Sequence, residues 1–322
     1  MGRPVLHVVS HGPYCLDGVA AAAAVARFHE GADVRPVFVA NEEVDRALRE
    51  VDAKPGEQLW ITDVSWTDPE TEKHLRQLID AGVEVHWFDH HRTAIDRLRH
   101  GGYDLPFKTK VVTDEYSAAK LVYDHLARTA EATNGGGTSV PERFRKFARV
   151  VEMADDNDRW LHRIPGSHEL GLVLRAMLPG EAYRSLLELD ERVLDTPEMA
   201  AARKRLGEEL ARNRRLAEAT RAERTVDGVK LVTALCDGYP GEVAEDWGRE
   251  SPRTVFCFFD VRTQALSFRR SRDLDLDLSK LAEACGGGGH PPAAGAMIPE
   301  LPRALAEVVA DRIAPEVARQ VS

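Results

Sequence analysis

The strongest chemical signal in the chain is the tripeptide Asp89-His90-His91. Imidazole and carboxylate together suit Mn²⁺, Fe²⁺, Co²⁺ or Zn²⁺, and a carboxylate can bridge two ions. Adjacent side chains at a strand end point opposite ways, so one histidine can ligate while its neighbour supports a substrate or a ligand. The same side-chain types recur at His11 with Asp17, at Asp63, and at the pair Asp155 and Asp156. His11, Asp63 and Asp89 each end an apolar run of strand length. Polar clusters at three matching strand ends are hard to obtain from packing alone, so they imply one shared site.

The elements that would position these residues alternate. Strands are expected at Val5 to Ser10, Val34 to Val39, Gln58 to Asp63 and Val83 to Phe88. Helices are expected over Gly18 to Glu30, Glu42 to Val51 and Pro69 to Ala81. This pattern implies a mostly parallel sheet with helices on both faces, whose site lies at the carboxyl ends of the strands. A helix follows Thr113 to Ala119 as far as Arg128, with Asp114 or Thr113 as its cap. Glu131 to Thr138, with three consecutive glycines, reads as a surface loop. A further helix, Arg143 to Glu152, delivers the aspartate cluster.

From Glu181 to Arg224 the chain reads as helical and rich in Arg, Glu, Leu and Ala, an ordinary solvated connector. After Asp227-Gly228, strands at Lys230 to Leu235, Thr254 to Phe259 and Ala265 to Arg269 mark a smaller α/β domain. The expected division is a catalytic domain over 1–195, a helical connector over 196–225 and a second α/β domain over 226–322.

Composition narrows the function. With 322 residues, 43% hydrophobic and 30% charged, the chain suits two globular domains. No apolar run is long enough to span a bilayer, and the first ten residues lack the features of a secretory signal, so a cytoplasmic protein is expected. Four cysteines, at 15, 236, 257 and 285, form no Cys-x-x-Cys pair; Cys257 reads as a buried small hydrophobe. A formal net charge of −10 disfavours a long track for duplex DNA. It permits a short phosphorylated substrate, because a metal centre and one or two arginines can dominate the local field.

Taken together, these motifs resemble the DHH phosphoesterase superfamily, specifically its two-domain members with a DHH-associated C-terminal domain. The resemblance runs through the turn after the first strand, Asp63, Asp89-His90-His91, the aspartates near 155, and Gly286 to Gly295 with its Gly-Gly-Gly-Gly-His-Pro-Pro-Ala-Ala-Gly sequence. Members include short-oligoribonucleotide hydrolases that also dephosphorylate phosphoadenosine phosphate. It implies one or two divalent ions, Mn²⁺ first, with Zn²⁺, Co²⁺ or Fe²⁺ as alternatives. A first metal would use His11, position 15 and Asp63. A second would use Asp17, Asp63, His90 and Asp155, with Asp156 as rival to Asp155. His91 would face the scissile phosphate and Asp89 would orient a histidine. The activity implied is that of a metal-dependent phosphodiesterase or phosphatase, resembling a 3′–5′ exoribonuclease on short substrates. The resemblance also allows a homodimer.

Position 15 departs from the family, which places an aspartate where this chain has Cys15. Three readings stand open: a thiolate ligand favouring a softer ion, a bystander beside a weakened first site, or a degenerate site. In the C-terminal half, Gly287, Gly288, Gly289 and His290 read as a backbone cradle for an anion. With Arg270 and Ser271 they resemble the family's substrate holder. Arg270 suits bidentate phosphate pairing, and Arg92 is a second candidate phosphate contact. The expected substrate is a short single-stranded oligonucleotide or a small phosphorylated nucleotide. The alternatives are a linear or cyclic dinucleotide phosphodiesterase, a polyphosphate hydrolase, and a nucleotide-binding regulatory protein without turnover.

Overall fold

In a computed structural model the described residues are 2–133, 140–178, 180–189, 196–298 and 300–321. They divide into two compact units, Met1–Leu206 and Gly207–Ser322. The division falls inside the helix expected to connect them.

The first unit is built on a five-stranded sheet, β1 (Val5–His11), β2 (Asp33–Val39), β3 (Gln58–Thr62), β4 (Glu84–Asp89) and β5 (Thr109–Val112). The spatial order is β2-β1-β3-β4-β5, and every pairing is parallel. Parallel strands need crossover connections, and the helices that make them cover both faces. Alternation shows how. Leu59, Ile61, Val85 and Trp87 enter one core with residues of α2 (Val44–Arg49), α3 (Pro69–Asp80) and α4 (Arg92–Arg99). Trp60 points the other way and stacks on His86 and Phe88, with ring centroids 4.2 and 5.7 Å apart.

On that second face lies α1 (Leu16–Phe28), in which Leu16 through Val25 are all buried. A helix enclosed on all sides must be thin, and the run Ala20 to Ala24 makes it so. Around it pack α5 (Ala118–Thr133), α6 (Glu142–Lys146), α7 (Ala148–Asp158), α8 (Ser167–Arg175) and α9 (Glu181–Glu188). The entry of α1 is tightest at Gly18, where a Cβ would lie 2.2 Å from the carbonyl oxygen of His11. No side chain fits there, and this contact fixes the turn carrying His11, Cys15 and Asp17.

After α10 (Pro197–Thr220) the second unit forms a six-stranded mixed sheet, ordered β10-β11-β9-β8-β7-β6. Its strands are β6 (Ala222–Val226), β7 (Val229–Cys236), β8 (Thr254–Asp260), β9 (Ala265–Arg270), β10 (Gly288–His290) and β11 (Ala293–Met297). Only β7 and β8 pair in parallel. One face packs Phe256 and Phe258 beneath α11 (Pro240–Gly248), and the other packs Val255 and Phe268 against α12 (Leu278–Glu283). The last helix, α13 (Leu301–Val321), has no buried residue among those described.

Three expectations are corrected. The helix expected to reach Arg224 ends at Thr220, and Ala222–Val226 is a strand. Asp227 and Gly228 have φ of 47° and 77°, the positive values of a two-residue hairpin turn, so this pair joins two strands. The loop expected from Glu131 begins later, because α5 runs to Thr133, and 134–138 lie outside the described residues. Cys257 is only half-buried, packed at the edge of the α12-side core. From the Gly18 contact we expect Gly18→Ala to lower unfolding free energy by about 1–3 kcal/mol, the usual range for overpacking. Denaturant titration of both proteins checks it; equal midpoints would show that the turn relaxes freely.

Candidate metal centre

Three of the five strand ends at the carboxyl edge of the parallel sheet deliver a polar group. His11 closes β1, Asp63 follows β3, and Asp89 closes β4 and leads into His90 and His91. Cys15 stands at the N-cap of α1 and Asp17 in its first turn. Asp63 is 1% exposed and has a left-handed backbone, φ 58°, with its N–H donated to the Phe88 carbonyl at 2.9 Å. Such a conformation is uncommon for a residue other than glycine, and strain of this kind persists where the surroundings fix it.

The two carboxylate oxygens of Asp63 face different partners. Oδ2 accepts a hydrogen bond from the Cys15 thiol at 3.4 Å and lies 3.6 Å from His11 Nδ1. Oδ1 lies 3.2 Å from His90 Nε2, which is 3.3 Å from Asp158 Oδ2 and 3.7 Å from Asp17 Oδ2. Two ligand trios result, His11–Cys15–Asp63 and Asp17–His90–Asp158, each able to offer atoms within 4.8 Å of one another. Asp63, His90 and His91 form a third, overlapping trio.

These residues fit divalent cations. His90 Nε2 is buried among three carboxylates yet makes no hydrogen bond of acceptable geometry. A buried polar atom left in that state is costly, and a cation coordinated by the nitrogen and the surrounding oxygens would satisfy all of them. The trios differ in softness: one has sulfur, nitrogen and oxygen donors, the other is mainly carboxylate.

Asp89 plays a different part. It is fully buried, and its Oδ1 accepts the His90 and His91 amides at 2.7 and 3.2 Å and His91 Nδ1 at 2.7 Å. The carboxylate therefore fixes the turn and orients the His91 ring. Arg92 begins α4 with an exposed side chain, 3.4 Å from Asp96 and 3.7 Å from Asp114.

The aspartate pair expected near 155 is not brought into either trio. Asp155 Oδ1 accepts the Ser117 amide at 2.7 Å, and Oδ2 lies 3.3 Å from Arg159. Asp156 accepts the Arg163 amide at 2.8 Å and the Ser167 hydroxyl. Asp158 takes the place beside His90, and sequence reasoning missed it. At 100° per residue, Asp158 lies on the same helix face as Asp155, one turn nearer the end of α7, whereas Asp156 turns away. That spacing was the available signal.

The start of α5 also differs from expectation. Its Ala118 and Ala119 amides donate to the two oxygens of Asp17, each at 2.8 Å, while Thr113 accepts only from Glu115, at 3.3 Å. Asp17 thus caps a helix a hundred residues away while bordering the centre, and the positive end of α5 offsets its buried charge.

Comparison with known proteins follows from this geometry. Residues 236–314 match the model of the DHHA1 domain. Over 314 residues the chain is 24% identical to oligoribonuclease NrnB of Bacillus subtilis (strain 168), covering 91% of this chain and 72% of the relative. These matches make the C-terminal unit similar to a DHHA1 domain and the whole chain similar in sequence to an oligoribonuclease. Among solved structures, its fold is similar to a pGpG-specific phosphodiesterase, PggH, from Vibrio cholerae. That match has a TM-score of 0.54 and 14% identity, and covers 97% of this chain and 99% of that one. It is also similar in fold to RecJ of Thermus thermophilus in complex with Mn²⁺, with a TM-score of 0.55 and 21% identity. Here 98% of this chain matches 52% of the RecJ chain.

In the DHHA1 domain the expected substrate holder is distributed unevenly. Ser271 is 3% exposed, its hydroxyl accepts the Thr254 amide at 2.9 Å, and it joins β9 to β8 instead of presenting a free group. Arg270 has a buried Nε without a partner, while its guanidinium donates to the Leu274 carbonyl and lies 3.9 Å from Asp275. The glycines form β10 and its approach, paired antiparallel with β11. A Cβ on Gly287 would lie 2.1 Å from the Gly295 carbonyl, and one on Gly289 2.6 Å from Ala294 Cα, so strand packing accounts for both. Gly288 faces open space. The side chain of His290 lies outside the described residues.

Electrostatics at the candidate centre follow from the crowding of acids. Burial, then Asp63 and Asp158, push the Asp17 carboxyl well up; burial, then Asp63, do the same to the Cys15 thiol and raise Asp158. Against its burial, the adjacent His11 and His90 rings, and then His91, hold Asp63 below the usual carboxylate range. Burial works against protonation of His90 and His91 too, but the acids win: Asp63, then Asp17 and Asp158, raise His90 to about 10, and Asp89 raises His91 to about 9.

Both imidazoliums stabilise the metal-free fold fully below their unfolded value of 6.5, and that stability is lost as pH rises through about 9 and about 10. The denaturation midpoint of metal-stripped protein is expected to fall between about pH 6.5 and 9.5, and to fall less in His90→Gln. A midpoint unchanged over that window would contradict this balance of charges.

Proposed function

We propose that this chain is a metal-dependent phosphoesterase hydrolysing short single-stranded oligonucleotides or small phosphorylated nucleotides. The observation that carries the reading is the double-facing carboxylate of Asp63, set between a His11–Cys15 pair and an Asp17–His90–Asp158 trio. This disposition supports two adjacent cations bridged by one aspartate. Bound there, divalent ions would supply Lewis acidity toward phosphoryl oxygens and lower the pKa of water from about 15.7 by several units.

The chain's own residues do the rest. His91, held through Nδ1 by Asp89, presents its ring to a phosphoryl oxygen. His11, Cys15, Asp17, Asp63, His90 and Asp158 would hold the cations, with Asp158 in the place expected for Asp155 or Asp156. Arg92, exposed at the start of α4, supplies a second phosphate contact. In the DHHA1 domain, Gly288 and Arg270 are the remaining candidates for substrate contact, since Ser271, Gly287 and Gly289 are engaged by packing. Similarity to an oligoribonuclease along most of the chain supports a short nucleotide substrate. The thiol's place inside the first trio supports its role as a ligand over that of a bystander, and favours a softer ion there.

Metal-stripped protein resupplied with Mn²⁺ or Zn²⁺ is expected to release mononucleotides from a 5′-phosphorylated dinucleotide, followed by chromatography. Absence of metal-dependent product with either ion would overturn the assignment. His91→Ala is expected to lower kcat by about 100-fold or more, the usual loss for one transition-state donor. Cys15→Asp is expected to move metal preference toward Mn²⁺, read as bound metal per chain by elemental analysis as well as by rate. Unchanged metal content and preference would remove Cys15 from the ligand set.

A further inference from the structure

The first unit buries its other indoles: Trp60, Trp66 and Trp87 are 2% exposed or less. Trp160 is 55% exposed. With Tyr14 and Tyr116 it makes up the exposed aromatic side chains of this unit among the described residues. All three adjoin the candidate centre in sequence. Tyr14 precedes Cys15, Tyr116 lies two residues before the Ala118 amide held by Asp17, and Trp160 follows Asp158 by two residues. Two residues of chain span at most about 7 Å, so the Trp160 backbone is confined to the neighbourhood of Asp158.

The turn that displays Trp160 is built, not loose. Trp160 and His162 both have left-handed backbones, φ 55° and 53°, a strained state for bulky residues. Backbone bonds from Trp160 to Asn157 (3.1 Å) and from Leu161 to Asp156 (2.9 Å) hold it, and Asp156 Oδ1 takes the Arg163 amide at 2.8 Å. The rings of His162 and His168 meet the indole almost at right angles, with centroids 4.6 and 5.0 Å away. The indole plane is thereby fixed while much of its surface stays open. Arg159, between Asp158 and Trp160 in the chain, lies 3.3 Å from Asp155 and 5.6 Å from the Tyr116 ring, placing a cation beside that second exposed aromatic surface.

A fixed, solvent-facing indole next to a phosphate-handling centre has a specific chemical complement. Inorganic phosphates have no group to place on it, whereas every nucleobase has a π face. We propose that Trp160 is a stacking platform for a base of the substrate, so that Asp156 serves as its positioning residue and the centre selects nucleotides over base-free phosphoesters. This rests on the nucleotide reading above and narrows it.

The test compares a 5′-phosphorylated diribonucleotide with its counterpart lacking both bases. In the wild-type protein KM is expected to be about ten- to a hundred-fold lower for the base-bearing substrate. That ratio is expected to collapse toward one in Trp160→Ala and to be largely restored in Trp160→Phe. Tryptophan emission of metal-stripped protein is expected to be quenched by the base-bearing dinucleotide, not by the base-free one, and not in Trp160→Phe. An unchanged KM ratio in Trp160→Ala, or equal quenching in Trp160→Phe, would overturn the platform. If wild-type protein hydrolyses neither compound, the proposed activity falls, and the quenching comparison alone decides whether Trp160 binds a base.

Discussion

Asp17, Asp63 and Asp89 are each 1% exposed or less and converge on one edge of one sheet. Burying a carboxylate without compensation is among the largest penalties a fold can carry, and three together repel. Much of the first unit answers that constraint. The N-terminus of α5 is aimed at Asp17, the His90 and His91 amides close on Asp89, and Asp63 is threaded through a left-handed turn between two histidines. Left uncompensated are Asp89 Oδ2 and the region between Asp63, Asp17 and Asp158, where His90 Nε2 lacks a hydrogen bond. A divalent cation is the simplest group that satisfies that region.

The packing follows from the same requirement. For Asp17 to reach both the centre and α5, α1 must enter within contact of the β1 backbone, which Gly18 permits. It must also run enclosed by other helices, which its alanines permit. The carboxylates are thus held by elements that cannot shift independently. This rigidity is what preorganised charge stabilisation needs, since donors that must reorganise during reaction lose much of their effect.

Much of this was legible in the sequence because strand ends are legible. Apolar runs that stop at His11, Asp63 and Asp89 announce both the parallel sheet and the edge where it delivers polar groups. The DHHA1 glycines were legible as a motif, yet the reason for Gly287 and Gly289 is cross-strand crowding that appears only once β10 lies against β11. Asp17 as a cap for α5 was not legible, because the bond spans a hundred residues. Asp158 was hidden by its neighbours: three aspartates within four residues look equivalent until the helix register sorts them. The strand Ala222–Val226 was missed because its charged residues resemble the preceding helix, although Asp227-Gly228 carried the hairpin signal.

The central claim is that Asp63 stands between two cations, each with its own ligand set. Anomalous diffraction from crystals grown with Mn²⁺ and, separately, Zn²⁺ tests it most directly. The account predicts two peaks flanking Asp63, one within bonding distance of His11 and Cys15, the other of Asp17, His90 and Asp158. A single ion remote from Asp63, or coordination by Asp155 or Asp156 in place of Asp158, would contradict it.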